Sequence, residues 1–364
     1  MTNSILLFIL GLIVLIVGAD LLVRGASRLA AAFGVSPLVI GLTIVAIGTA
    51  SPEIAVSLKA AAGGQGDLTI GNVLGSNIFN ILFILGVTSI AVPIMIAEQL
   101  IRKDAPIMVG VSLLTLVLAL NGNLGWLDGT LLLILLVAYI FFALRQSRAE
   151  SLAVQQEYEQ EFSQQEPRTA KRVIFNLGFI SIGLGLLVLG SNWLVDSATQ
   201  IAKSLGVSEL VIGLTIVAVG TSLPEIATSV IAALKGESDI AVGNAVGSNI
   251  FNLLGVLGIS ALIAPGGVTV VSSVLQFDLP VMVFVAIVTL PIFHTYRKIS
   301  RLEGSLLLTY YVIYVVYTIL RATQSPAFFA LQMFMTFFVP ISFIVLVVIA
   351  LMASRNRDGV KLQT

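Results

Sequence analysis

The chain has 364 residues, of which 57% are apolar and only 10% charged, and its mean hydropathy is +1.05. Such a composition lies far outside that of soluble globular domains and marks an integral membrane protein. The 19 basic and 19 acidic residues cancel and no basic cluster is interleaved with aromatics, which argues against a nucleic-acid partner, while the lack of cysteine excludes disulfides and thiolate metal sites.

At about 20 residues per crossing of the bilayer, the length accommodates roughly ten to twelve helices and no sizeable soluble domain. The first apolar run, residues 4 to 23, follows no basic region and ends at Arg24 and Arg28 instead of a small-residue cleavage site, so it reads as a retained helix. Further runs cover residues 35 to 62, 68 to 96, 105 to 121 and 129 to 145. A polar stretch, 146 to 172, mixes glutamates, glutamines and basic residues and reads as a solvated cytoplasmic linker. Runs resume at 173 to 195, 207 to 234, 240 to 263, 279 to 294, 304 to 321 and 327 to 353, making eleven. With the N-terminus outside, 16 of the Lys and Arg residues fall on the cytoplasmic side and 3 outside, the bias that basic loops impose, and the C-terminus is then cytoplasmic.

Shifting the chain by 172 residues lays Gly34 to Glu53 on Gly206 to Glu225 and Gly71 to Asn80 on Gly243 to Asn252, with 34 of the 53 positions from 34 to 86 identical. Shared apolar character does not produce such an ordered set of Gly, Thr, Pro, Glu, Ser and Asn, so the chain is a duplication. The second copy begins after five crossings, an odd number, and is therefore inverted. The expected division is a first repeat over residues 1-145, the linker 146-172, a second repeat over 173-325, and an extra helix with a tail over 326-364. Inverted repeats with matching Gly/Pro-interrupted helices are the signature of secondary transporters with a site at the bilayer midplane.

Glu53 and Glu225 fall near the middle of the second and seventh runs, each directly after a proline. Proline removes a backbone donor, so Gly48 to Pro52 and Gly220 to Pro224 should break their helices and free backbone carbonyls, notably around Ala46 and Ala218, as ligands. The four-residue spacing places Thr49 with Glu53, and Thr221 with Glu225, on one helical face; Ser76 with Asn80, and Ser248 with Asn252, repeat it. The set is all oxygen, without Cys, His or intramembrane Lys or Arg, and suits hard cations such as Ca²⁺. A carboxylate at bilayer depth costs several kcal/mol and usually marks an ion path. Asp67 and Asp239 read as first-turn carboxylates stabilising helix dipoles, and His294 as an interfacial residue.

These motifs, Gly-Thr-x-x-Pro-Glu followed by Gly-Ser-Asn-Ile-x-Asn and each present twice, resemble the two alpha repeats of the sodium/calcium exchanger family, within the calcium/cation antiporter superfamily, and look closest to its prokaryotic YrbG-like branch. The resemblance covers roughly residues 4 to 321. It implies an all-α polytopic membrane protein with a ten-helix core of two inverted five-helix repeats, ion sites between them, and sliding of the first and sixth helices during alternating access. It implies Ca²⁺ ligands at Glu53, Glu225, Thr49 and Thr221, and Na⁺ ligands drawn from Ser76, Asn80, Ser222, Ser248 and Asn252. Ala50 departs from the motif's usual serine, kept in the second copy as Ser222, and Ser51 stands where leucine is usual, so one sodium site is expected to be weakened. The run from Ala327 to Ala353 lies outside the ten-helix pattern and serves either contacts between copies in a homo-oligomer or topology alone.

The leading expectation is antiport of Ca²⁺ against Na⁺ in a prokaryotic plasma membrane, with no cofactor. Antiport against H⁺ through the same glutamates is the nearest alternative, K⁺ co-transport is left open, and a passive cation channel is the alternative of another class. An enzyme is disfavoured, since an intramembrane protease needs a Ser/His or paired-Asp set and the lone His294 sits at a membrane edge.

Overall fold

Among the described residues the helices follow one another in the order set by the apolar runs. The structure, a computed structural model, describes residues 2–33, 35–162, 170–204 and 218–361; residues 163–169 of the linker and the start of the seventh run lie outside the described residues. In chain order the helices are α1 (Thr2–Phe33), the bent pair α2 (Pro37–Thr49) and α3 (Ser51–Ala62), α4 (Gly66–Ala91), α5 (Ala105–Ala119), α6 (Trp126–Phe162) and α7 (Ala170–Ser204). The second copy continues with the short α8 (Ala218–Gly220), α9 (Leu223–Leu234), α10 (Ser238–Ile263), α11 (Val274–His294) and α12 (Arg301–Ala322), and α13 (Ala327–Lys361) follows. Among the described residues eight helices are long and apolar enough to cross a membrane, and the bent pair makes a ninth. The fourth and seventh runs are represented by the shorter α5 and α9.

The bounds of α3 and α9, and of α4 and α10, differ by the sequence repeat of 172, so the duplication extends to where the helices start and stop. Asp67 and Asp239 occupy the first turns of α4 and α10, where their charge complements the helix dipole. Two small antiparallel pairings fix the relation between the copies. β1 (Ile94–Met95) pairs with β4 (Lys298–Ile299), and β2 (Asn123–Leu124) with β3 (Val268–Thr269). The α4–α5 connection of the first copy thus abuts the α11–α12 connection of the second, and the α5–α6 connection abuts α10–α11. Since α5 holds its own two connections at opposite ends, the two copies run in opposite directions.

α1 and α7 form an antiparallel pair whose backbones touch through glycines seven residues apart. A Cβ on Gly18 would lie 2.9 Å from the Gly183 carbonyl, and one on Gly183 would lie 2.8 Å from that of Gly18; small residues let membrane helices approach this closely. Toward α9 the pair leaves an apolar crevice of about 750 Å³, lined by Leu12, Leu15, Val195, Leu223 and Ala227 among others. The buried core lies instead around α4 and α10, which cross at the centre; their apolar spans are 78% buried, against 28% for α1 and α7.

Candidate ion-binding site

The helix break forms where proline dictates. In the first copy α2 and α3 meet at 52°, with Ala50 at φ −72°, ψ 7°, and in the second Ser222 takes the matching φ −92°, ψ 10°. In the first copy the carbonyl released differs from the expectation. Proline lacks the donor for the carbonyl four residues earlier, so Pro52 and Pro224 free Gly48 and Gly220, whose oxygens accept from the hydroxyls of Ser51 and Ser191, each at 2.6 Å. Ala46 keeps its helical bond from the Ala50 amide at 3.1 Å. Its carbonyl is nevertheless turned toward polar company, with the Thr49 hydroxyl at 3.4 Å and that of Ser248 at 3.5 Å. Ala218 opens α8.

Glu53 and Glu225 are both 1% exposed. The Ser222 hydroxyl donates to Glu53 Oε1 at 2.8 Å, and those of Thr221 and Ser76 face the same carboxylate. Glu225 is faced by Thr49 and by the charge of Glu53. Each threonine therefore faces the other copy's glutamate, against the i,i+4 expectation that paired Thr49 with Glu53 and Thr221 with Glu225. That expectation assumed a continuous helix, and the break between the two residues turns the threonine away from its own glutamate.

Ser76, Asn80, Ser248 and Asn252 are buried on α4 and α10. Both helices widen into a π-helical turn beginning at the site asparagine, Asn80–Ile84 and Asn252–Val256, a distortion frequent at functional sites. The Oε2 atoms of Glu53 and Glu225 and the Oδ1 atoms of Asn80 and Asn252 are buried without a hydrogen-bond partner. A buried acceptor is costly to leave unpaired, and among the described residues no Lys or Arg is buried to answer these four.

Four asparagines outside the expected ligand set join the site. Asn72 Nδ2 donates to the Glu53 carbonyl at 3.2 Å and to Ser57 Oγ at 2.8 Å. Asn244 makes the same two bonds to Glu225 and Ser229 at 3.4 and 3.1 Å, and its Oδ1 accepts from Thr49 at 2.9 Å. Asn77 and Asn249 lie where α4 crosses α10. All four recur at the repeat spacing, a signal present in the sequence but equally expected of residues that merely hold helices together. His294 sits apart and exposed at the end of α11, with Nδ1 2.8 Å from its own helix's Leu290 carbonyl.

Opposed copies around a buried cluster of carboxylate, hydroxyl and amide oxygens define a mostly helical polytopic membrane protein. The family model described as sodium/calcium exchanger protein matches residues 3–145 and 175–320, and the chain belongs to that family, whose members are transporters. It is 39% identical over 284 residues to the inner membrane protein YrbG of Escherichia coli, covering 78% of this chain and 86% of that one. It is 34% identical over 345 residues to the sodium/calcium exchanger MaX1 of Methanosarcina acetivorans, covering 86% and 98%. Among solved structures, the sodium-calcium exchanger NCX_Mj without added Na⁺ and Ca²⁺ superposes with a TM-score of 0.74 at 32% identity, over 86% of this chain and 98% of that one.

Proposed function

We propose that the protein exchanges Ca²⁺ for Na⁺ across a prokaryotic plasma membrane by alternating access, with its N-terminus outside and its C-terminus cytoplasmic. Ca²⁺ is held by Glu53 and Glu225 with Thr49 and Thr221. Na⁺ occupies the neutral shell of Ser76, Asn80, Ser222, Ser248 and Asn252, with the carbonyls of Ala46 and Ala218 completing the set. The observation that carries the reading is a set of four unpartnered buried oxygens on side chains paired by the repeat, two of them on carboxylates. One divalent or two monovalent cations neutralise the pair of glutamates, so the two ions compete for one place, as exchange requires. The apolar crevice between the α1–α7 pair and α9 supports movement of that pair, because its mostly apolar surfaces slide with few hydrogen bonds to exchange, such as that from Ser191 to the Gly220 carbonyl.

Reconstituted into proteoliposomes, the protein should take up radiolabelled Ca²⁺ only against an opposing Na⁺ gradient, and a protonophore should not abolish the uptake. Uptake driven by a proton gradient without Na⁺ would establish the Ca²⁺/H⁺ alternative through the same glutamates. Ca²⁺ flux that needs no counter-ion would establish a channel.

A further inference from the structure

Where α4 crosses α10, four buried asparagines form a closed reciprocal set. Asn80 Nδ2 donates to Asn249 Oδ1 at 3.0 Å, and Asn252 Nδ2 to Asn77 Oδ1 at 3.3 Å. The two acceptors are themselves pinned across the crossing: Asn77 Nδ2 donates to the Asn249 carbonyl at 3.3 Å and Asn249 Nδ2 to the Asn77 carbonyl at 3.0 Å. Sulfur atoms of Met282 and Met108 lie 3.8 and 3.7 Å from the same two nitrogens. None of the four asparagines is more than 3% exposed.

A side-chain amide presents either an acceptor oxygen or a donor NH₂, and what it offers on one side depends on what its other end has found. For Asn80 and Asn252 the nitrogen is taken by the crossing, and the oxygen is left buried without a partner. We infer that Asn77 and Asn249 are positioning residues, each holding the amide of the other copy's ion ligand so that Asn252 and Asn80 show a carbonyl oxygen, never an NH₂, to the cation. The inference rests on the site reading proposed above. A flipped amide would remove one ligand and point donor hydrogens at a positive charge. Partners that orient a ligand in this way typically contribute about 10- to 100-fold to metal affinity. The competing role, glue between two crossing helices, requires the same hydrogen bonds but makes no demand on the orientation of Asn80 or Asn252.

A double-mutant cycle on the purified full-length protein, read by calorimetric titration with Ca²⁺ and separately with Na⁺, distinguishes these roles. Asn249→Ala should weaken binding roughly tenfold or more while Asn80 is present. With Asn80→Asp in the same chain, Asn249→Ala should have little effect, because the two oxygens of a carboxylate are equivalent and have no wrong face. Equal losses in both backgrounds, or no loss in either, would overturn the positioning role. Asn80→Ala alone tests the site reading: if it leaves both Ca²⁺ and Na⁺ binding unchanged, Asn80 is not a ligand and the inference falls with it. Should Asn249→Ala not yield folded protein, Asn77→Ala with Asn252→Asp runs the same cycle on the other copy.

Discussion

The two copies share their helix breaks, their glutamates and their asparagines, yet the two carboxylates sit in different company. Glu53 receives the Ser222 hydroxyl at 2.8 Å; the position that would do the same for Glu225 is Ala50, whose methyl group donates nothing. Ser51, next in the chain, does not compensate, because it is exposed and turned back onto the Gly48 carbonyl. The same one-sidedness recurs where the α1–α7 pair meets the broken helices. Ser191 donates to the Gly220 carbonyl and Lys235 pairs with Asp20; the counterparts of Ser191, Asp20 and Lys235 at the repeat spacing are Ala19, Asn192 and Gly63, which can make neither contact. Duplication supplies the geometry of a two-sided machine, and single-residue differences then make its two sides unequal.

The largest effect should come from the feature the copies share. Replacing either glutamate, Glu53→Gln or Glu225→Gln, should abolish Ca²⁺ transport in proteoliposomes while leaving a monodisperse protein, since one carboxylate is left to balance a divalent ion in a buried site. Near-normal transport by both variants would remove the site. Acidification acts on the same atoms, because protons and Ca²⁺ compete for the carboxylate oxygens. Apparent Ca²⁺ affinity should fall as the pH is lowered from neutral, and an affinity indifferent to pH would contradict shared use of these oxygens.

The next effects probe the difference between the copies. Ser222→Ala makes the second break resemble the first and removes one hydroxyl from the neutral shell. It should reduce Na⁺ affinity roughly tenfold, the scale of a hydrogen bond to a charged group, with a smaller change for Ca²⁺. The converse variant, Ala50→Ser, supplies the hydroxyl that Glu225 lacks and should steepen the dependence of exchange on Na⁺. If that hydroxyl completes a third Na⁺ position, exchange also becomes more sensitive to membrane potential, at about 2.3 kcal/mol per net charge per 100 mV. An unchanged Na⁺ dependence would show that the asymmetry at this position is silent. The smallest effect belongs to Asp20→Asn, which copies the residue at its counterpart and breaks a partly exposed ion pair. Thermal unfolding should report a loss under about 1 kcal/mol.

Much of this was legible in the sequence, and for physical reasons. Proline close after a Gly-Thr pair favours an interrupted helix, and the breaks at Ala50 and Ser222 fall between the expected residues. Repetition at a fixed spacing after an odd number of crossings implies inversion, and the β1–β4 and β2–β3 pairings bear it out. What stayed hidden depends on the third dimension. The spacing of Thr49 and Glu53 describes a helical face only while the helix is unbroken, so the exchange of threonines between copies was invisible. Asn77 and Asn249 stand in the most strongly repeated segment, but an asparagine that orients a ligand and one that ties two helices read alike until the partner of each amide nitrogen is known. The π-helical turns at Asn80 and Asn252 likewise leave no mark in a pattern of apolar spacing.

The central claim, that both copies close on one cation through Glu53 and Glu225, is tested most directly by locating the ion. Anomalous scattering from crystals soaked in Sr²⁺, a heavier stand-in for Ca²⁺, should place a single divalent ion between the two carboxylates, and raising Na⁺ should displace it. A Sr²⁺ peak away from both glutamates, or one that persists at high Na⁺, would contradict the claim.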